Sequence, residues 1–505
     1  MPLSPAPLLP GQSPLSAPGE RPADRRALRM GALVGLITLA LALVPGQLLL
    51  PRLLYLTPGL LARAAVGGQG SQGGAATFQG FAFMWTARST GAGGYTTPAS
   101  SKNLRSEVHD FHMNTVVIPV VADMPYRSES TLYWQAGGKY QNADTLPDAD
   151  YIQAIADARA AGLMPILELE LRQQDQYNAP YEYPYFIGHD WYDEAANQDI
   201  TTATGNTATV GHLEQAWVDN YTAFAVHFAA LAQTQHMPYF IVGDDLADLS
   251  VDGPASTKQS DPSGVAHSKA TGDSFTCAGR HECEWRHIVS AVRGKAYAAY
   301  LVRGAKAGGN YQGKVIYAAS GLTGDQYKSS PQGEFELIKW WDAVDAIGVD
   351  AYFPLTQNSA DPSVGTLLNA WHGQGSGLGG QGNIYGRLQA VHDQYQKPIL
   401  FTAAGYESTQ GSNSTPGRTD AQSYDPDEQK NDMMSLLQTF TGTSWWAGVI
   451  WWADEPLSPR SAQPNWQRGT LWAGDDLHGT KPTDSKSAGL WLATYYHTAT
   501  VPCLC

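Results

Sequence analysis

Basic side chains are in short supply in this chain. Its 505 residues hold 32 Lys and Arg against 47 Asp and Glu, a formal charge of −15. That deficit excludes nucleic acid and anionic lipid as the main partners of the folded part. Cysteine is scarcer still, with four in all: Cys277, Cys283, Cys503 and Cys505. The first two bracket a short loop and could close a disulfide outside the cytoplasm. Cofactor signatures are missing. No nucleotide-binding glycine motif follows a strand pattern, and Gly91-Ala-Gly-Gly94 lacks that context and reads as a loop. No metal is expected either. His281-Glu-Cys-Glu-Trp-Arg-His287 has suitable residue types, but its spacing matches neither HExxH nor a zinc finger. Internal repeats are absent.

Hydrophobic residues are plentiful at 43%, which excludes global disorder and allows a sizeable core. Aromatic residues include 15 Trp and 25 Tyr. Rings set among carboxylates suit neutral polyhydroxylated ligands, because sugar C–H faces stack on rings while acids accept hydroxyl protons. The competing explanation is that a large core simply uses aromatics.

The first 29 residues form a Pro- and Ser-rich tail carrying Arg21, Arg25, Arg26 and Arg29, and residues 30–50 that follow are free of charge. A basic flank before an apolar run predicts either a signal peptide or a membrane anchor with its N-terminus inside. Pro45 and Gly46 interrupt the run, and Ala62-Arg-Ala64, a possible cleavage site, lies far from it. The uncleaved anchor is preferred, and on either reading the rest of the chain is extracytoplasmic. Residues 51–76, ending in GGQGSQGGAA, read as a linker.

From Thr77 short apolar runs that suit strands alternate with helical patterns. The strand runs are 80–84, 115–121, 164–170, 239–243, 315–319, 346–351, 399–403 and 448–452. Helical patterns fall at 102–113, 149–161, 217–235, 284–303, 335–344, 385–395 and 426–440. Eight strands alternating with helices predict an α/β fold, a (β/α)8 TIM barrel, over 77–499, with 500–505 left as a Cys-bearing tail. The surplus length falls after strands, at 172–213, 248–283, 356–382, 404–425 and 453–484. Those are loops of the C-terminal face, where such barrels place their sites.

Carboxylates stand at the exits of four runs. They lie in Glu168-Leu-Glu170-Leu-Arg172, Gly243-Asp244-Asp245-Leu246, Val349-Asp350-Ala-Tyr352 and Trp451-Trp452-Ala-Asp454-Glu455. Hydrolysis of a glycosidic bond needs two carboxyl groups, one to protonate the leaving oxygen and one to attack or to activate water. Any single acid is as easily a structural hydrogen-bond acceptor. Four strands presenting acids at one rim make a site.

Several segments resemble glycoside hydrolase family 113, barrel enzymes of the endo-β-mannanase type. They are Ala161-Gly-Leu-Met164, Tyr239-Phe-Ile-Val-Gly-Asp-Asp-Leu246, Trp285 with Arg293, and Val315-Ile-Tyr-Ala-Ala319. Trp341-Asp342 then leads to Ile347-Gly-Val-Asp-Ala-Tyr-Phe-Pro-Leu355. Lys397-Pro-Ile-Leu-Phe-Thr-Ala-Ala-Gly-Tyr-Glu-Ser408, Gly448-Val-Ile-Trp-Trp452 and Lys481-Pro482 follow in order. The resemblance implies a general acid/base Glu at the end of the fourth strand, where this chain has Asp245. It implies a nucleophilic Glu at the end of the seventh, where this chain has Ala403. Both catalytic positions are therefore altered within a kept frame.

Asp245 keeps an acid with its carboxyl drawn back by one methylene. Ala403 has no group that could form a glycosyl–enzyme intermediate, so the nucleophile position is vacant. Three expectations follow. The barrel binds a β-linked, mannan-like polysaccharide without cutting it, on a platform drawn from Trp85, Tyr352, Tyr406, Trp451 and Trp452, with Arg293 added to the substrate-binding set. Or it hydrolyses by inversion, with Asp245 as acid and Glu455, Glu170 or Asp350 activating water. Or it is a structural or interaction module of the envelope. No cofactor is called for by any of them.

Overall fold

The computed structural model describes residues 78–83, 94–124, 130–134, 146–173, 210–251, 280–294, 310–321, 332–357, 361–416, 425–454 and 487–498. The N-terminal tail, the 30–50 segment, the linker and the C-terminal Cys tail lie outside them. Among the described residues no helix is long and apolar enough to cross a membrane.

Eight parallel strands close into a barrel in sequence order. They are β1 (Phe78–Phe83), β2 (Thr115–Met124), β3 (Met164–Gln173), β4 (Tyr239–Asp244), β5 (Lys314–Ser320), β6 (Ala346–Asp350), β7 (Ile399–Ala404) and β8 (Trp446–Asp454). All eight predicted runs are strands, and β1 pairs with β8 to shut the ring. Strands buried on both faces need near-continuous apolar sequence, which is why the runs stood out.

The longer helices are α1 (Pro98–Phe111), α2 (Asp148–Ala161), α3 (Val210–Thr234), α4 (Arg280–Val292), α5 (Val364–Trp371), α6 (Ile384–Tyr395), α7 (Pro426–Phe440) and α8 (Ser487–Thr498). Local chemistry sets their starts. Thr97, Ser363, Asn383 and Asp425 each accept a backbone N–H of the first turn, and Pro98 and Pro426 occupy first-turn positions where no N–H is needed. α5 and α8 lie where no helix was predicted. The predicted helix 335–344 is instead a single turn, Glu334–Leu337, followed by a tight turn at Trp341–Ala343. Burial decides this: the Trp340 and Trp341 indoles are fully buried, and their N–H groups donate to the carbonyls of Ser250 and Phe335.

Alternation along the strands divides the core in two. Inside the ring lie Phe78, Ala82, Val117, Ile166, Ile241, Ile316, Ala318, Leu400 and Ile450. Outside it, Trp217, Trp285, Trp340, Trp341 and Trp371 pack between strands and helices with no more than 1% exposure. Much of the aromatic content is thus core, as the simpler explanation of the composition had it.

The His281–His287 segment begins α4. Arg286 bridges Glu282 and Asp342 through bonds of 2.9 and 2.8 Å, and Cys283 is disulfide-bonded.

Candidate functional site

The apolar filling of the barrel gives way to carboxylates toward the C-terminal ends of the strands. On β3, Ile166 points into the ring and Leu167 and Leu169 pack outside, so Glu168 and Glu170 also face inward. On β6, Ile347, Val349 and Ala351 pack outside, which turns Asp350 and Tyr352 inward. Thr402 of β7 donates to Asp350 Oδ1 at 2.9 Å.

β4 reaches the same place by breaking its alternation. Its pairing with β5 shifts register between Ile241 and Asp244. Val242 packs outside the ring, and so would a side chain at Gly243, whose Cβ would lie 2.8 Å from both Trp285 and the Tyr221 hydroxyl. Two outward residues in succession leave Asp244 facing in. Asp245 then takes φ +50, a left-handed conformation that Asp tolerates better than most residues. Both neighbouring acids therefore reach the cluster.

An aromatic box holds this exit from behind. Trp285 and Trp340 stack at 5.0 Å and 3°. Tyr221 donates to the carbonyl of Val242 and Trp285 to that of Leu249, while the Leu246 N–H donates to the Tyr317 hydroxyl. Glu334 ties the next strand in. It accepts from the Ser250 hydroxyl, from Tyr317 at 2.6 Å and from the Ser320 N–H at 2.7 Å. Ser320 in turn hydrogen-bonds Asp245.

Asp244, Asp245 and Asp350 each bring one oxygen into a set whose members lie within 4.8 Å of one another. Burial is the largest influence on every acid here, and it favours the neutral form. Glu168 is raised by burial and then by Glu170, Asp350 and Asp245. Glu170 is pushed up to about 8 by burial and Asp245. Asp244 is raised by burial and Asp245, against a hydrogen bond with Asp350 that pulls it down. Burial and Asp350 raise Asp245, while its Ser320 bond opposes them. Asp350 is raised by burial and Asp244. Two carboxyls can share a hydrogen bond only when one is protonated, so the contact between Asp244 and Asp350 favours a shared proton.

The expected residues divide. Asp245, Glu170, Asp350 and Tyr352 come together, and Tyr352 feels Asp350, Asp244, Asp245 and Glu168. Trp452 packs against the filling of the ring. Ala403, of β7, pairs in register with Asp350. Three residues expected to bind substrate face elsewhere. Trp451 packs in the outer layer and donates to the Tyr496 hydroxyl of α8 at 3.0 Å. Tyr406 is buried toward Asp432 of α7. Arg293 pairs at 2.6 Å with Asp345, whose carboxylate also accepts the Val315 N–H at the start of β5. That is the opposite end of the barrel from the acids. Trp85 and Glu455 lie outside the described residues. Glu168 and Asp244 were visible at strand exits without being assigned, and Glu334 was missed altogether. The sequence around it, Gly333-Glu-Phe-Glu336, carries no signal that singles it out.

The model of Glycoside Hydrolase Family 113 matches residues 270–465. No curated protein matches the chain. Among solved structures, a complex of a GH113 β-1,4-mannanase is 19% identical with TM-score 0.53, covering 84% of this chain and 99% of that one. The GH113 β-mannanase AaManA from Alicyclobacillus acidocaldarius, in complex with ManMIm, is 16% identical with TM-score 0.54, covering 85% and 100%. At these identities the likeness to solved structures is one of fold.

Proposed function

We propose that the C-terminal rim of the barrel binds a β-linked polysaccharide of the mannan type and does not cleave it by the retaining route. The observation that carries this is Ala403. The residue of β7 in register with Asp350 bears only a methyl group, and a glycosyl ester needs a carboxylate there. Tyr352 and Trp452 supply inward-facing ring surface beside acids that can accept hydroxyl protons. The substrate class is taken from the family match and from the mannanases that share the fold. The chain acts outside the cytoplasm, secreted or held at the membrane by residues 30–50.

One observation favours a second reading, inverting hydrolysis. Burial and Asp350 keep the Asp245 carboxyl raised, as a general acid requires. Asp350 is a poor partner for it. Their nearest oxygens lie within 4.8 Å, whereas an inverting pair stands ~6.5–9.5 Å apart to admit water. The base would then be Glu170 or Glu455.

The test pairs calorimetry with a reducing-end assay of the purified chain on mannan, glucomannan and xylan. Binding heat without turnover is the expected result. Turnover that disappears in Asp245→Asn would establish the inverting reading instead. Neither heat nor turnover on any of the three would overturn both and leave an interaction module of the envelope.

A further inference from the structure

The charges that act on Glu168, Glu170, Asp244, Asp245 and Asp350, among the described residues, are those of other carboxylates. The triad Asp244, Asp245 and Asp350 keeps its three oxygens within 4.8 Å of one another. That span suits an oxygen-ligated divalent ion, whose metal–oxygen bonds of ~2.3–2.6 Å place opposed ligands about 5 Å apart. A second observation comes from outside the triad. Glu168 is 3% exposed, and no hydrogen bond to it offsets its burial. The alternation of β3 aims it at Asp245 and Asp350. Two residues on, Glu170 Oε1 is closed off from solvent without a hydrogen-bond partner, and so is Asp245 Oδ1 within the triad. Buried carboxylate oxygens left without donors are costly, and a cation is the group that satisfies several at once.

We propose that Asp244, Asp245 and Asp350 hold a hard divalent cation of the calcium class at the C-terminal ends of the strands, with Glu168 and Glu170 contributing to its oxygen shell. An all-carboxylate donor set selects calcium, magnesium or manganese over softer metals. A single ammonium group would leave most of the negative charge uncompensated. The site does not depend on glycan binding, and it accounts for a rim that carries more acids than a glycosidic pair uses.

Terbium(III) is the probe, because it takes calcium sites and is excited through nearby rings, here Tyr352. Added to the full chain and excited in the aromatic band, it is expected to give saturable emission. Excess calcium and EDTA should both abolish that emission. Asp244→Asn and Asp350→Asn should each weaken terbium binding at least tenfold. Glu168→Gln should weaken it less. The Asn variants remove like-charge repulsion, so in EDTA they should melt no lower than the parent, which separates lost binding from lost folding. Calcium should raise the melting temperature of the parent and raise that of both Asn variants less at the same concentration. Absence of saturable emission together with no calcium-dependent shift at millimolar concentrations would overturn the site. So would emission of equal affinity in the two Asn variants.

Discussion

The proposed function turns on a single methyl group at Ala403 and a single left-handed Asp at 245. Between them stand acids whose folded-state affinity for protons exceeds that of the unfolded chain. Glu170 gives the sign. Its folded value of about 8 lies above its ordinary one of 4.5. The folded state therefore binds more protons than the unfolded state between those values, and its stability falls as pH rises through that window. In EDTA the melting temperature should drop from pH 4.5 toward pH 8. Glu170→Gln should flatten that slope, and an unchanged slope would contradict the burial of this carboxyl. Tyr352 belongs to the same scale. Tyr352→Ala should weaken oligosaccharide binding by on the order of tenfold, about 1.4 kcal/mol, without lowering stability comparably. Calorimetry checks this. Trp451→Phe should leave binding unmoved, since Trp451 packs in the outer layer and bonds Tyr496.

At the scale of elements, the β4 exit is the part that the fold works hardest to hold. Gly243 lets the strand press against the box of Trp285, Tyr221 and Tyr317. Gly243→Ala would put a methyl into rings that are fully buried and have nowhere to go. A loss of ~1–3 kcal/mol is expected, read as a lower denaturant midpoint, together with weaker ligand binding because Asp244 and Asp245 move with the strand. Full stability in that variant would show that the box is loose. The strands themselves were legible because both faces of each are buried, so their sequence is nearly unbroken apolar. Acids at their exits were legible for the complementary reason, that such groups do not belong inside. The facing of neighbours such as Trp451 and Trp452 was not. It depends on register shifts between β7 and β8, and these follow from packing against other strands, not from local pattern. Glu334 was invisible for the same reason. Its partners come from two separate places in the chain, Ser250 after β4 and Tyr317 with Ser320 on β5.

Over the whole molecule, a closed ring of eight strands brings together acids that lie between positions 168 and 350. The fold is that of mannanases, and the family model covers the half of the barrel from α4 to β8. The frame is kept, and the seventh strand ends in a methyl where the resemblance calls for a nucleophilic carboxylate. The proposed activity is therefore binding without retaining cleavage. Proton NMR of a β-1,4-mannooligosaccharide mixed with the full chain tests both halves at once. Saturation transfer from protein to sugar, with no new reducing-end signals over time, is the expected result. New anomeric signals that appear first in the β configuration would mean retaining hydrolysis and would contradict it.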